Sequence, residues 1–270
     1  MGPRALRRRQ LRGDGAPPAS RRVTDDGGDH ALAARLAHDC GQRLLGLLSD
    51  PSAPQGWGLE KAADRQAHEF LTQELSRHRP GDSVLSEEGH DDRRRLAVER
   101  LWILDPLDGS YDFGVTGAWS VHVALCERGV PTAAAVAVPA WGTTFGTDPP
   151  SEPTMCRVGR RRVVVARSRG HSDGRRLAAS LDADVLTMGS AGVKAMAVVR
   201  GEMDAYVHAG GLYEWDVCAP AAVALAAGLH ASCADGSPLR FNNPRPYTPG
   251  LVICRPDFAD ELLDALAPVA

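Results

Sequence analysis

The N-terminal part of the chain shows a helical period of apolar residues. Between residues 29 and 48 they recur at every fourth position, as Leu32, Leu36, Cys40, Leu44 and Leu48. This spacing predicts an amphipathic first helix from about Asp29 to Leu48. A second helix is predicted from about Glu60 to His78, with Pro80 beyond its end. Residues 82–89, DSVLSEEG, then read as a short strand that leads into acidic residues.

The central segment has the pattern of a sheet. The runs LWIL, WSVHVALCERG, PTAAAVAVPA and WGTTFGT are apolar or β-branched and are separated by turn residues such as Arg128-Gly129. After the proline-rich residues 148–154, strand-like and helix-like segments alternate, including a helix from about Asp173. Such alternation predicts a layered α/β architecture.

Composition and charge divide the chain further. Its 270 residues are 43% hydrophobic with a formal net charge of −3, which allows a large core and argues against nucleic acid as the main partner. Residues 1–22 hold seven arginines and one acid. We expect residues 1–28 to be a disordered arginine-rich tail or a mis-called start, with a weak nucleic-acid or targeting role as the alternative. An N-terminal α+β half, 29–150, and a C-terminal α/β half, 151–270, follow.

Membrane and disulfide signals are weak. No apolar run reaches the ~18 residues of a membrane span, and the tail lacks the apolar core of a signal peptide. The cysteines lack CxxC spacing, which favours reduced core thiols over a zinc site. The sequence therefore predicts a cytoplasmic protein with no membrane or nucleic-acid partner. It leaves open whether the protein forms a homodimer. The six cysteines are Cys40, Cys126, Cys156, Cys218, Cys233 and Cys254.

Acidic residues end several predicted strands or occupy sharp turns. Oxygen-only clusters suit a hard cation such as Mg²⁺, which shares its coordination sphere with water and substrate phosphate. Three or four carboxylates can bridge two ions, which would polarise a phosphoryl group, activate a water and stabilise the leaving oxygen. The acids are Glu87 and Glu88 in LSEEG, Asp105 and Asp108 in DPLDGS, Asp216 in YEWDV, and Asp64 on the second helix.

The DPLDGS segment has the composition that such a site requires. The proline is expected to fix a turn that leaves the strand, so that Asp105 and Asp108 converge with the carbonyl of Leu107 between them. Gly109 permits close backbone approach, and N–H groups there can hold a phosphate oxygen. Ser110 supplies a hydroxyl that can orient the attacking water. Taken alone, the segment also fits a surface turn with a capping aspartate.

The segments LSEE, WILDPLDGS and YEWDVCAP resemble the three signatures of the inositol monophosphatase superfamily, which are magnesium-dependent, lithium-sensitive phosphomonoesterases. The likeness covers nearly the whole chain from about residue 30. It implies a layered α-β-α-β-α sandwich of the inositol monophosphatase and fructose-1,6-bisphosphatase type, with two or three Mg²⁺ ions between the halves. The implied metal ligands are Glu87, Asp105, the carbonyl of Leu107, Asp108 and Asp216.

The resemblance also implies a catalytic group of Asp64, Asp108 and Ser110. Ser110 stands where the family usually has threonine, and its hydroxyl would orient the attacking water. Asp64 matches the aspartate that ends the family's VTxxD motif, although LEKAAD lacks the usual valine and threonine. It would assist this water or a third, weaker magnesium. Gly109, Ser110 and Asp216 would contact the substrate.

Only two of the 31 lysines and arginines are lysine, Lys61 and Lys194. Lys194 follows Gly189-Ser190 at the start of a short predicted helix, which is similar to the Gly-Ser-x-x-Lys of 3′(2′),5′-bisphosphate nucleotidases, the actinobacterial ones above all. A Gly-Ser turn at a helix N-terminus is a good anion site. Gly189, Ser190 and Lys194 would therefore bind substrate, Lys194 through a second phosphate, with a solvent-exposed lysine as the alternative. Lys61 either neutralises the acid cluster, binds the 5′-phosphate of a substrate or is exposed to solvent on the helix.

This branch of the family implies hydrolysis of 3′-phosphoadenosine 5′-phosphate to AMP and phosphate, a step that recycles a by-product of sulfate assimilation. Inositol 1-phosphate and fructose 1,6-bisphosphate stay as alternative substrates. The alternative class of protein is a metal- or nucleotide-binding regulator without catalytic activity. The full set of mutually repelling acids argues against this alternative. His122 and His208 are interpreted as packing or loop residues. Tyr213 and Trp215 flank Asp216 and either line the nucleoside site or pack in the core.

Overall fold

The N-terminal half consists of two long helices and one sheet. The computed structural model describes residues 28–153, 159–167 and 177–267. Helices α1 (Gly28–Ser49) and α2 (Trp57–His78) lie against a five-stranded sheet of order β1-β2-β3-β4-β5. β1 is parallel to β2, and the other neighbours are antiparallel. The strands are β1 (Ser83–Ser86), β2 (Arg100–Asp108), β3 (Ser120–Glu127), β4 (Val130–Val138) and β5 (Thr143–Gly146).

The C-terminal half contains a second five-stranded sheet, of order β10-β12-β8-β6-β7, and a two-stranded ribbon of β9 and β11. β6 is parallel to both β7 and β8, whereas β12 is antiparallel to β8 and β10. The strands are β6 (Arg162–Ala166), β7 (Asp184–Met188), β8 (Ala205–His208), β9 (Leu212–Tyr213), β10 (His230–Ser232), β11 (Tyr247–Thr248) and β12 (Leu251–Cys254). The helices whose two ends both lie in the described part are α3 (Ala191–Val199), α4 (Glu214–Ala226) and α5 (Ala259–Leu266).

Three hydrophobic clusters arrange these elements in five layers. The first joins α1 and α2 to one face of the N-terminal sheet and includes Leu36 and Trp102. The second fills the space between the two sheets and contains α3 and α4. The third packs α5 on the far face of the C-terminal sheet. The order α-β-α-β-α confirms the predicted fold class. A helix between two sheets is buried on every side, and for that reason all nine residues of α3 are buried.

Most predicted elements are present, with differences at their ends. α2 begins at Trp57, before the predicted Glu60. The helix expected from about Asp173 is seen at residues 177–181, whereas residues 168–176 lie outside the described part. The sequence pattern missed β9, β10 and β11 because strands of two or three residues are too short to show an alternating period. It also missed α5.

Several other expectations concern burial and the tail. Within the described residues, no helix is long and apolar enough to cross a bilayer. Five cysteines are described, and all five are buried free thiols, as predicted. Burial raises the pKa of Cys40 to about 12. The arginine-rich residues 1–27 and Cys156 lie outside the described residues, so the interpretation of the tail stays a prediction.

Candidate active site

The strand that carries Asp105 and Asp108 is longer than the sequence predicts. A turn was expected at Pro106, but β2 continues to Asp108. Its pairing with β3 shifts register between the two aspartates. Irregularities of this kind bend a strand and re-aim its side chains. The convergence of the two carboxylates therefore comes from an irregular strand end and not from a turn at the proline.

Asp108 is the carboxylate that joins the two halves. Its Oδ2 accepts hydrogen bonds from Ser120 Oγ at 3.0 Å, from Ser190 Oγ and from the Gly192 N–H at 2.8 Å, and it lies 3.3 Å from His122 Nε2. Burial opposes ionisation, but the hydrogen bond and charge of His122 outweigh it and hold the pKa of Asp108 below its ordinary value. These contacts converge on Oδ2, which leaves Oδ1 for a cation.

A third carboxylate approaches from the C-terminal half. Asp216 lies in the first turn of α4, and its Oδ2 accepts a hydrogen bond from the Tyr213 N–H at 3.0 Å. One oxygen from each of Asp105, Asp108 and Asp216 lies within 4.8 Å of the others. Burial, followed by the charge of Asp108, raises the pKa of Asp216 to about 7. We call these three residues the acid triad.

Glu87 extends this acidic surface from the end of β1. Its backbone N–H donates to the Leu104 carbonyl at 3.3 Å, which continues the β1–β2 pairing beyond Ser86. The residue as a whole is exposed. Even so, burial of its carboxyl against the other acids, followed by the charge of Asp216, raises its pKa to about 7. Among the described residues, however, the carboxylates whose oxygens lie within 4.8 Å of one another do not include Glu87, so its role as a metal ligand stays a prediction.

The Asp105 carboxyl fits a divalent cation. It is 1% exposed, and its Oδ2 is buried without a hydrogen-bond partner among the described residues. Its Oδ1 accepts from the Leu107 N–H at 3.2 Å. Burial, then the charges of Glu87 and Asp108, raise its pKa well above the ordinary value. A buried carboxylate oxygen without a hydrogen bond, next to other carboxylates, is unfavourable unless a cation binds there. A site made of oxygen atoms suits Mg²⁺, which prefers oxygen ligands.

His122 is a part of the site that the sequence pattern does not reveal. It is buried, as predicted, but it lies directly across from Asp105 in the β2–β3 register. Its Nδ1 contacts the Trp215 carbonyl at 3.0 Å, and its Nε2 faces Asp108. Burial opposes protonation, but the hydrogen bond that His122 donates to Asp108 outweighs it and raises the pKa of His122. His122 therefore links Asp108 to the segment that precedes Asp216.

The residues after Asp108 form a close contact between the halves. Gly109 has a left-handed φ of 89°. A Cβ at this position would lie 2.7 Å from the Ala118 carbonyl oxygen and 3.1 Å from Ser190 Cβ, so glycine is required for both conformation and space. Ser110 follows directly and begins a short 3₁₀ turn, Ser110–Asp112, in a half-buried position.

The Gly189-Ser190 turn does not present an open anion site as the sequence predicts. Ser190 Oγ caps α3 by accepting from the Val193 N–H at 3.0 Å, and it also bonds to Asp108. The Gly192 N–H donates to the same carboxylate at 2.8 Å. The anion at this helix N-terminus is therefore Asp108 itself. A direct substrate contact by Gly189 or Ser190 stays a prediction.

Lys194 is buried within α3, at 4% exposure. Its ammonium donates to the carbonyl oxygens of Ser190 at 2.5 Å and Gly189 at 3.3 Å, and it lies 5.0 Å from the centre of the Tyr206 ring. Burial lowers its pKa to about 8, against the opposing charge of Asp108. The solvated alternative is therefore wrong, whereas a contact with a second phosphate stays a prediction.

A second cation at this turn is Arg167, which the sequence reading did not single out. Its side chain is 45% exposed, and its Nη1 donates to Asp112 Oδ1 at 3.0 Å. Gly189 packs against the same acid, because a Cβ there would overlap Asp112 Oδ2. Arg167 therefore lies beside the Gly189-Ser190 turn with part of its side chain open to solvent. One arginine among many gives no signal in the sequence.

Asp64 and Lys61 lie outside the acid triad. Asp64 is half-buried on α2. Burial, then the charges of Glu88 and Glu60, raise its pKa to about 6. Lys61 is exposed. The structure therefore places Asp64 among acids of α2 and the Glu87-Glu88 loop, and its role toward the attacking water stays a prediction.

A Gly192→Ala substitution is expected to destabilise the protein. The added Cβ would overlap His122 Nε2 and Ser120 Oγ, and neither can move without losing its contact with Asp108. Overpacking of this kind lowers the free energy of unfolding by about 1–3 kcal/mol. For a protein of this size, each kcal/mol lowers Tm by about 2–4 °C. Thermal unfolding checks this.

The matched control is Gly46→Ala in α1, where no atom lies within 4 Å of the new Cβ. There alanine should stabilise the helix by about 0.5–1 kcal/mol. An unchanged Tm in the Gly192 variant would mean that α3 does not pack against β3 as described.

The chain matches the model of the Inositol monophosphatase family over residues 35–268 and belongs to that family. It is 47% identical over 265 residues to the 3′-phosphoadenosine 5′-phosphate phosphatases of Mycobacterium bovis and Mycobacterium tuberculosis, which covers 93% of this chain and 97% of each relative. The 3′(2′),5′-bisphosphate nucleotidase CysQ of Escherichia coli K12 is 29% identical, over 73% of this chain and 82% of that protein.

Solved structures show the same fold. CysQ of Bacteroides thetaiotaomicron matches with a TM-score of 0.71 and 26% identity, covering 83% of this chain and 96% of that one. SuhB of Mycobacterium tuberculosis matches with a TM-score of 0.65 and 25% identity, covering 88% and 94%. The family predicted from the sequence is confirmed, as is the class of enzyme, a phosphatase of this family.

Proposed function

We propose that this protein removes the 3′-phosphate of 3′-phosphoadenosine 5′-phosphate with the help of Mg²⁺, giving AMP and inorganic phosphate. The observation that supports this proposal most strongly is the acid triad, in which Asp105 Oδ2 is buried without a hydrogen-bond partner. It occurs in a chain 47% identical to phosphatases named for that substrate. Water supplies the new P–O bond, and the P–O3′ bond breaks to leave a 3′-hydroxyl.

The metal would be held by Glu87 and the acid triad, together with the Leu107 carbonyl. Mg²⁺, when bound, polarises the phosphoryl oxygens, makes water a better nucleophile and stabilises the leaving oxygen. The chain itself keeps Asp108 ionised and fixed through His122 and three hydrogen-bond donors. Fixed ligands need no reorganisation during the reaction.

The remaining catalytic roles belong to the rim of the site. The Ser110 hydroxyl would orient the attacking water, and Asp64 would assist it or a further magnesium. The left-handed Gly109 holds Ser110 beside the C-terminal half. The Gly109 N–H and Asp216 would complete the contacts to the substrate. Two or three Mg²⁺ ions per site suit this number of acids.

The second phosphate of the substrate needs positive charge. Lys194 has its ammonium on two carbonyl oxygens, whereas Arg167 is part-exposed beside the same turn. Both cations lie at the Gly189-Ser190 turn, and guanidinium groups suit phosphate because they can donate two parallel hydrogen bonds. We therefore assign Arg167 the direct contact and Lys194 a contact that depends on movement of the turn.

Arg167→Gln should raise KM for 3′-phosphoadenosine 5′-phosphate about tenfold or more, because a hydrogen bond to a charged group is worth about 1.5–3 kcal/mol. KM for inositol 1-phosphate, which lacks the second phosphate, should change far less. Steady-state kinetics on both substrates checks this. Arg160→Gln, which removes a surface ion pair with Asp182, is the control. A larger selective effect in Lys194→Met than in the Arg167 variant would reverse the assignment of the two cations.

The cellular setting follows from the substrate. We propose a role in sulfate assimilation, where this nucleotide is a by-product, and a location in the cytoplasm. Five buried free thiols suit a reducing compartment. We also propose that Li⁺ inhibits the enzyme by displacing a magnesium, and insensitivity to Li⁺ would contradict this.

The substrate is tested by phosphate release from purified protein with Mg²⁺. The compounds to compare are 3′-phosphoadenosine 5′-phosphate, inositol 1-phosphate and fructose 1,6-bisphosphate under matched conditions. We expect kcat/KM to be at least about tenfold higher for the nucleotide, given the value of one charged contact. A preference for the inositol ester would leave the fold and acid triad in place and overturn the substrate.

A further inference from the structure

Three aromatic side chains lie together beside Asp216. Tyr213 and Trp215 stack in parallel, with ring centres 4.6 Å apart and an interplanar angle of 4°. The rings of Tyr247 and Tyr213 are close to perpendicular, with centres 5.8 Å apart and an interplanar angle of 85°. We call Tyr213, Trp215 and Tyr247 the aromatic cluster. Tyr213 is 47% exposed, so an ordered ring is available to a ligand next to the acid triad.

The backbone fixes this cluster. Tyr247 and Tyr213 face each other in the β9–β11 ribbon. Gly211 has no space for a side chain, because a Cβ there would overlap the Tyr247 hydroxyl and ring. The Arg245 guanidinium covers the Tyr247 ring at 4.8 Å. Tyr213 is therefore held before any ligand arrives, and little side-chain entropy is left to lose on binding.

The cluster is also tied to the reaction centre. The Tyr213 N–H donates to Asp216 Oδ2 at 3.0 Å. The Trp215 carbonyl accepts from His122 Nδ1 at 3.0 Å, and His122 faces Asp108. The distance between the Tyr213 ring and the reacting phosphate is thus set by two of the acids that would hold the metal.

We propose that the Tyr213 ring, backed by Trp215, is the surface on which the base of the nucleotide substrate stacks. This rests on the proposed function and adds the specificity-determining residue. Purines stack on aromatic side chains, and one such contact is worth about 1–3 kcal/mol. Among the described residues, a second exposed aromatic close in sequence to Asp108 is Tyr111, at 79% exposure. No aromatic ring packs on it in the described part of the chain, so it is not pre-ordered.

The first test compares Tyr213→Leu, Tyr213→Phe and Tyr111→Leu. In Tyr213→Leu, the ratio of kcat/KM for 3′-phosphoadenosine 5′-phosphate to that for inositol 1-phosphate should fall about tenfold or more. Tyr213→Phe keeps the ring and should restore the ratio, and Tyr111→Leu should leave it as in the wild type. Equal losses on both substrates in Tyr213→Leu would show a merely structural role. A lower ratio in Tyr111→Leu instead would place the base elsewhere. Either result overturns the proposal.

Gly211→Ala provides a second variant that leaves all three aromatic residues in the sequence. Its Cβ displaces Tyr247 from the cluster, so the same ratio should fall. Gly210→Ala is the matched control, because its Cβ has only ordinary contacts with His208, at 3.5 and 3.9 Å. An unchanged ratio in Gly211→Ala would contradict the proposal that contact with Tyr247 positions the Tyr213 ring.

Direct titration with AMP in the presence of Mg²⁺ separates the base site from the proposed reaction. Tyr213→Leu should bind AMP about tenfold or more weakly than wild type. If the wild type does not prefer the nucleotide substrate but Tyr213→Leu still loses AMP affinity, the proposed function fails and the base site stands. If the nucleotide is preferred and AMP binds both proteins equally, the base site alone is wrong. Wild-type protein that does not bind AMP also overturns the base site.

Discussion

Replacing Asp105 with asparagine is expected to lower kcat at least about a thousand-fold. Asparagine keeps the size of the side chain but offers a neutral amide where the acid triad needs charge to hold a divalent cation. A bound metal stabilises the transition state by several kcal/mol, and each 1.36 kcal/mol changes the rate about tenfold. Asp108→Asn should have a similar effect. Phosphate release at saturating Mg²⁺ measures both.

The loss of activity should not come from a loss of fold. Burial and the neighbouring carboxylates raise the pKa of Asp105, so its ionised form destabilises the metal-free protein, and the neutral amide should leave Tm unchanged or higher. Asp264→Asn, an exposed change on α5, is the activity control. Wild-type turnover in either triad variant would contradict the metal assignment. A lower metal-free Tm in Asp105→Asn would contradict the electrostatic account of this residue.

Mg²⁺ is expected to stabilise the protein strongly, because it binds the folded acid triad and not the separated acids of the unfolded chain. A ligand at about one hundred times its Kd adds about 2.7 kcal/mol, which corresponds to a rise in Tm of about 5–10 °C at this size. Thermal unfolding with and without Mg²⁺ measures it. Asp105→Asn should lose most of the shift, and an equal shift in that variant would contradict binding at the acid triad.

The Tm of the metal-free protein and the rise in Tm caused by Mg²⁺ should both depend on pH. The pKa values of Glu87 and Asp216 are raised to about 7, so the metal-free folded state holds protons that the unfolded state has already released. Its stability should therefore fall as pH rises from about 4 to about 7. Mg²⁺ binds the ionised forms, so the rise in Tm that it causes should be larger at about pH 8 than at about pH 5. A shift that is independent of pH would contradict the account.

The acids could be predicted from the sequence because each one marks a local boundary. Asp105 and Asp108 lie at the end of an apolar strand, Glu87 follows another, and Asp216 lies in the first turn of a helix, so composition and position indicate them. The layered fold could be predicted for a similar reason, since long alternating segments leave few other architectures. Both depend on patterns within short stretches of chain.

The contacts that complete the site depend on packing between distant segments. Ser190 and Gly192 hold Asp108 across more than 80 positions, and no local pattern encodes that distance. His122 gains its role from the register of β3 against β2, and a shift of one residue would turn it away. A solvent-exposed Lys194 stayed open as the alternative to a phosphate contact, because the sequence cannot show that α3 lies between two sheets.

The most direct test of the central claim follows the two phosphates of 3′-phosphoadenosine 5′-phosphate separately by phosphorus NMR during turnover with Mg²⁺. The 3′-phosphate signal should disappear as inorganic phosphate and AMP appear in equal amounts, and a chelator should stop the reaction. Loss of the 5′-phosphate, or turnover that continues in the chelator, would contradict a Mg²⁺-dependent 3′-phosphatase built on the acid triad.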